Sequence, residues 1–100
     1  MLVRDKVGKQ IKKIIETSKS AEVEVTSLDD DEEFLEAIFT KLENELQILK
    51  LTKSIHSLAE IVELIDWIQI CFGTTSLDII MEERKDKLGL YWERFYIKEK

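Results

Sequence analysis

Leu58-Ala59-Glu60-Ile61-Val62-Glu63-Leu64-Ile65-Asp66-Trp67-Ile68-Gln69-Ile70-Cys71-Phe72 is the stretch that decides the fold class. Its apolar residues recur at helical spacing instead of alternating, so it reads as an α-helix. Placed at 100° per residue, the second half is apolar on almost every side: Leu64, Ile65, Trp67, Ile68, Ile70, Cys71 and Phe72. One polar stripe interrupts it, Glu60, Glu63 and Asp66 at i, i+3, i+6, about 120° wide. Ser57 and Glu60 have the spacing of a capping box, which predicts a start between Thr52 and Ser57. Gly73 supplies the left-handed stop after Phe72. A helix apolar all round must be covered all round. A chain of 100 residues has little material to enclose it, so a second copy is the expected cover. The alternative cover is the chain's own aromatic tail.

On the N-terminal side, Phe34, Leu35, Ile38, Phe39, Leu42, Leu46 and Leu49 form a long helical stripe entered through the acidic run Asp29 to Glu33. Asp29 with Glu32, or Asp30 with Glu33, has capping-box spacing with Asp as the cap. Such acids suit the free amides and the dipole of a helix start. Earlier still, Val7, Ile11, Ile14 and Ile15 at i, i+4, i+7, i+8 predict an amphipathic helix over residues 4 to 17. Ser18 to Thr26, with its Val23-Glu24-Val25 alternation, reads as an extended connection. On the C-terminal side, Ser76 or a neighbouring Thr caps a helix over Leu77 to Leu88, which Gly89 ends. The tail Leu90 to Ile97 mixes Tyr91, Trp92, Phe95 and Tyr96 with charges and reads as an extended strap.

Composition agrees with this reading. Glycine is scarce at 3 and proline is absent, which favours long helices over a strand-rich fold. Hydrophobic residues at 44% are enough for a core, and no internal repeat or linker divides the chain, so residues 1–100 read as a single domain. No apolar run exceeds three residues, too short for a membrane span or a signal-peptide core. One cysteine makes no internal disulfide, and a reducing, cytoplasmic compartment is expected. Fifteen basic residues against 21 acidic ones, a net charge of −6, argue against a nucleic-acid partner.

The chemistry-bearing residues are acids. No Lys or Arg lies within the Glu60–Glu63–Asp66 stripe, and His56 is its only local partner, so the stripe carries like-charge repulsion. Glu45 sits near the edge of the preceding helix's apolar stripe. Carboxylates from two facing helices suit Mg²⁺, which takes hard oxygen ligands and keeps several waters. The bland reading, a solvated acidic face, stands beside it. Arg84, Lys85 and Lys87 suit a helix C-terminus. There is no glycine-rich phosphate loop and no Cys/His zinc spacing.

Taken in order, the segments resemble the MazG-like superfamily of all-α nucleoside triphosphate pyrophosphohydrolases. The nearest likeness is to short proteins described as phosphoribosyl-ATP pyrophosphohydrolase-like or house-cleaning enzymes. The likeness is carried by Leu2-Val3-Arg4-Asp5-Lys6-Val7, with Gly8 where those proteins usually have Pro, and by Leu28-Asp29-Asp30, Phe34-Leu35-Glu36-Ala37 and Lys41-Leu42. It continues in Leu58 through Asp66 and, more loosely, in Lys87-Leu88-Gly89-Leu90-Tyr91 with Arg94-Phe95.

The resemblance implies an all-α, four-helix MazG-like bundle completed by homo-oligomerisation, as a homodimer or homotetramer. It implies Mg²⁺, with Mn²⁺ as a substitute, held by a Glu-Glu-x-x-Glu helix and a Glu-x-x-Asp helix. The second motif maps to Glu63 and Asp66, with Glu60 placed to orient or deprotonate the attacking water. The first maps to Asn44, Glu45 and Ile48, so only Glu45 keeps a carboxylate. Arg4, Lys6, Arg84 and Lys87 become the expected phosphate contacts. The implied reaction converts a nucleoside triphosphate to monophosphate and pyrophosphate. Asn44 and Ile48 also leave open a non-catalytic nucleotide-binding or assembly relative of the same fold.

Overall fold

The helical periods become four α-helices in a computed structural model that describes residues 1–18, 23–73 and 76–99. They are α1 (Asp5–Ser18), α2 (Asp31–Thr52), α3 (Ile55–Phe72) and α4 (Leu77–Leu88). No strand occurs among the described residues, so the chain is all-α. Ser18, expected in the connection, closes α1 instead, and residues 23–30 have no helix or strand. Residues 19–22 of that connection, and the Thr residues before Ser76, lie outside the described residues.

The helix boundaries are set by backbone geometry more than by the side-chain caps read from spacing. Asp30 is the N-cap of α2, but its side chain makes no cap hydrogen bond; the Phe34 amide donates to its carbonyl at 3.0 Å. At α3 the cap is Ser54, whose hydroxyl accepts from the His56 amide at 3.2 Å. Ser57, the expected cap, is instead buried within α3. It lies one turn along the same face as Ile61 and Leu64, so the tight α2–α3 turn leaves it inside the packing. That turn is made by Lys53 at φ 52°, whose amide donates to the Leu49 carbonyl at 2.8 Å. Gly73 at φ 67° ends α3 in the left-handed region, as its position predicts.

The main packing is α2 on α3, the helical hairpin at the centre of the molecule. Ile38 of α2 meets Ile61 and Leu64 of α3 to form the buried core. Phe34 and Trp67 meet edge-to-face at 6.0 Å between centroids. The N-terminus joins this body through Leu2, Val3 and Arg4, and Gly8 is buried beside Val3 and Val25.

The C-terminal part of the chain is largely exposed. No residue of α4 is buried, and Tyr91, Trp92, Phe95, Tyr96 and Ile97 are 82–96% exposed. The tail makes a turn, with the Arg94 amide donating to the Tyr91 carbonyl at 3.1 Å, but it does not lie over α3. The molecule measures 60 × 32 × 25 Å with a radius of gyration of 18.7 Å. A compact domain of this length has a radius of about 13 Å. No single described helix is long and apolar enough to cross a membrane.

Candidate functional site

Glu60 and Glu63 lie one turn apart on α3, beside its buried face, and like charges at that spacing repel. The structure supplies a cation that the local sequence lacks. Arg4, just ahead of α1, reaches both: one guanidinium nitrogen donates to Glu60 and stands 2.7 Å from a Glu63 oxygen. The hydrogen bond that Arg4 donates to Glu60, then that to Glu63, raises the Arg4 pKa further above its already high value, so the guanidinium is permanently charged. Side-chain exposures of 55% for Arg4, 53% for Glu63 and 18% for Glu60 make this a partly solvated ion triad with Glu60 as its sheltered member.

The triad lines a cleft of about 300 Å³. Leu2, Phe34, Ile38 and Trp67 contribute apolar and aromatic walls, and Lys41 adds a second cation from α2. A second, wider cleft of about 680 Å³ holds Asn44, Glu45 and Ile48, together with Met1, Leu2 and Lys41. Leu2 and Lys41 line both clefts, so the N-terminal segment runs between Glu45 on one side and the Glu60–Glu63 pair on the other.

This arrangement separates the residues expected to work together. Glu60, Glu63 and Arg4 are brought together; Glu45 is in the neighbouring cleft; Asp66 is exposed and lines neither. Lys6, Arg84 and Lys87 are exposed and line neither cleft. Among the described residues no group of three His, Cys, Asp or Glu side chains converges to hold a metal ion. Nor does any described buried side-chain nitrogen or oxygen lack a partner. Within one chain, then, the donor set of Glu45, Glu63 and Asp66 does not fit a resident Mg²⁺, because Glu45 and Asp66 lie outside the Glu63 cleft and Glu63 is already paired with Arg4.

Sequence reasoning assigned Arg4 to phosphate and found no basic partner for the acids. The pairing spans 56 residues, and no local spacing signals it. Lys41 and Trp67 as cleft residues were also beyond reach, since a lysine or a tryptophan on an amphipathic helix has an ordinary surface or core role. His56 is exposed at the start of α3, and Cys71 near its end is a half-buried thiol.

Comparison of the chain with protein-family models, with curated proteins and with solved structures returns no match.

Proposed function

We propose that the chain is a nucleoside triphosphate pyrophosphohydrolase of MazG-like type, acting as a homodimer or homotetramer on the metal complex of the nucleotide. The observation that carries this reading is the Arg4–Glu60–Glu63 cleft: cations, carboxylates and an aromatic wall within one pocket of nucleotide-phosphate scale. The sequence resemblance, which includes all three polar residues, points the same way.

In this reading Arg4 exchanges its carboxylate partners for the phosphate oxygens, and Lys41 contributes a second positive charge at the same cleft. Releasing Arg4 frees Glu60 to accept a proton from a water molecule. That water attacks the α-phosphorus, the α–β bridging bond breaks, and pyrophosphate leaves with the bridging oxygen and its electron pair. The products are nucleoside monophosphate and pyrophosphate. The metal arrives with the substrate's phosphates, where it offsets their charge.

The test is pyrophosphate release from a panel of ordinary and modified nucleoside triphosphates, with Mg²⁺ or Mn²⁺, beside Glu60→Gln and Glu63→Gln. Metal-dependent release that Glu60→Gln reduces at least about a hundredfold supports the reading, since a general base contributes about 10²–10⁴-fold. No release above the variants rejects it.

One observation favours the alternative of a non-catalytic relative: Asn44 and Ile48 flank Glu45 in a cleft separate from Glu60 and Glu63. That reading expects saturable nucleotide binding by calorimetry with no turnover. Ile48→Glu discriminates further, because a weakened catalytic site gains metal affinity and turnover from a restored carboxylate, whereas a binding relative gains neither.

A further inference from the structure

The accessible surface of the chain is 9673 Å². A folded monomer of 11.8 kDa exposes about 5,900 Å² by the usual mass scaling, leaving an excess of roughly 3,800 Å². A standard specific interface buries about 800 Å² per partner, so the excess is on the scale of an obligate assembly.

Two apolar surfaces contribute to this excess. On α3, Leu58, Val62, Ile65 and Phe72 form one face, 44–65% exposed, turned about 100° away from Ile61 and Leu64 on the buried face. On α4, Leu77, Ile80, Met81 and Leu88 share a face, and the exposed aromatic tail follows it in the chain. No α4 residue is buried, yet a helix of 12 residues has marginal stability alone in water and needs a packing partner. The chain therefore carries both a half-exposed apolar face and an apolar arm with no seat among the described residues.

Charge selects how they meet. Residues 31–72, which hold α2 and α3, contain nine acidic and three basic residues, the entire net charge of the chain. Residues 76–100 contain six of each and are neutral. Two acidic hairpins placed directly against each other repel, whereas a neutral arm docks on an acidic hairpin without that cost.

We infer that two copies exchange their C-terminal arms. The α4 helix and aromatic tail of each copy seat on the Leu58–Val62–Ile65–Phe72 face of the other, a self-complementary arrangement that closes as a two-fold dimer. This rests on the assembly part of the proposed function and is independent of its chemistry.

The experiment is sedimentation velocity with light scattering on the full chain at micromolar concentrations, beside Ile65→Glu and Ile80→Glu. Both positions are exposed in the single chain, so a glutamate there leaves the α2–α3 core intact, and circular dichroism checks that helix content is kept. Ile80→Ser is run alongside as a milder arm substitution. The expected result is a dimeric wild type, with each Glu variant dimerising at least about tenfold more weakly, as for a central interface residue. Mixing the two Glu variants restores a heterodimer, because the intact arm of the Ile65→Glu chain meets the intact face of the Ile80→Glu chain. A monomeric wild type overturns both the exchange and the assembly reading. A dimer that withstands Ile80→Glu and Ile80→Ser, or two monomeric variants that do not complement, keeps or loses assembly by other contacts and overturns the exchange.

Discussion

Ile38 and Ile97 are the same side chain in opposite circumstances, one at 0% exposure in the α2–α3 hairpin and the other at 96% in the C-terminal tail. Hydropathy does not distinguish them; the presence of a facing surface does. In the hairpin, Lys53 reverses the chain within two residues, so α2 and α3 are delivered to each other and Ile38 meets Ile61 and Leu64. The arm has equally apolar residues but receives no seat from its own chain. The lesson is that a helix's apolar stripe states a demand for cover, while connectivity decides whether the same chain can meet it.

The largest effect that tests this contrast is truncation in the hairpin. Ile38→Ala is expected to lower unfolding free energy by about 3 kcal/mol, the range for a fully buried isoleucine. Urea unfolding followed by circular dichroism measures it, and a loss below about 1 kcal/mol would make the hairpin no better packed than the arm. Removing the Ser54 hydroxyl, which caps α3 at the reversal, is next: Ser54→Ala is expected to cost about 1 kcal/mol in the same assay.

Gly8 tests the region between the two extremes. An added Cβ would stand 3.6 Å from Val3 and 3.9 Å from Val25, ordinary contact distances. Gly8→Ala is therefore expected to stabilise α1 by about 0.5–1 kcal/mol, through lower chain entropy in the unfolded state, visible as a raised melting temperature. The smallest effect belongs to the arm. In the dilute single chain, Ile97→Ala should change stability by less than about 0.5 kcal/mol, as for an exposed position. Repeating the melt at rising chain concentration sharpens the comparison. Arm exchange predicts that wild-type melting temperature climbs with concentration and that Ile97→Ala flattens the climb.

The ion triad gives a different kind of test. Arg4→Gln leaves Glu60 and Glu63 as unneutralised like charges one turn apart, so the melting temperature is expected to fall slightly at low salt and to recover as salt is added. A fall that salt does not relieve would point to lost packing of the N-terminal segment instead.

Much of the fold was legible. The apolar periods of residues 4–17, 34–49 and 58–72 mark three of the helices, and Gly73 and Gly89 mark the ends of α3 and α4. These signals are short-range: backbone sterics at a glycine and a 3.6-residue period act over a turn or two of chain. The caps were less legible, because Ser54 and Ser57 offer similar chemistry and the tightness of the Lys53 reversal chooses between them. The site was legible only in part. The stripe Glu60, Glu63, Asp66 can be read from spacing, but its partition between a cleft, an ion pair and solvent cannot.

The sequence by itself therefore determined an all-α chain, the approximate extents of its helices, an acidic hairpin and an apolar demand larger than its own core. The tertiary structure alone decided that Arg4 closes on Glu60 and Glu63, that the N-terminal segment stands between them and Glu45, and that α4 and the tail are left without cover. The division has one physical cause. Helix formation and termination depend on neighbours within a few residues, whereas the pairing of side chains 56 positions apart depends on how each helix is rotated and docked against the next.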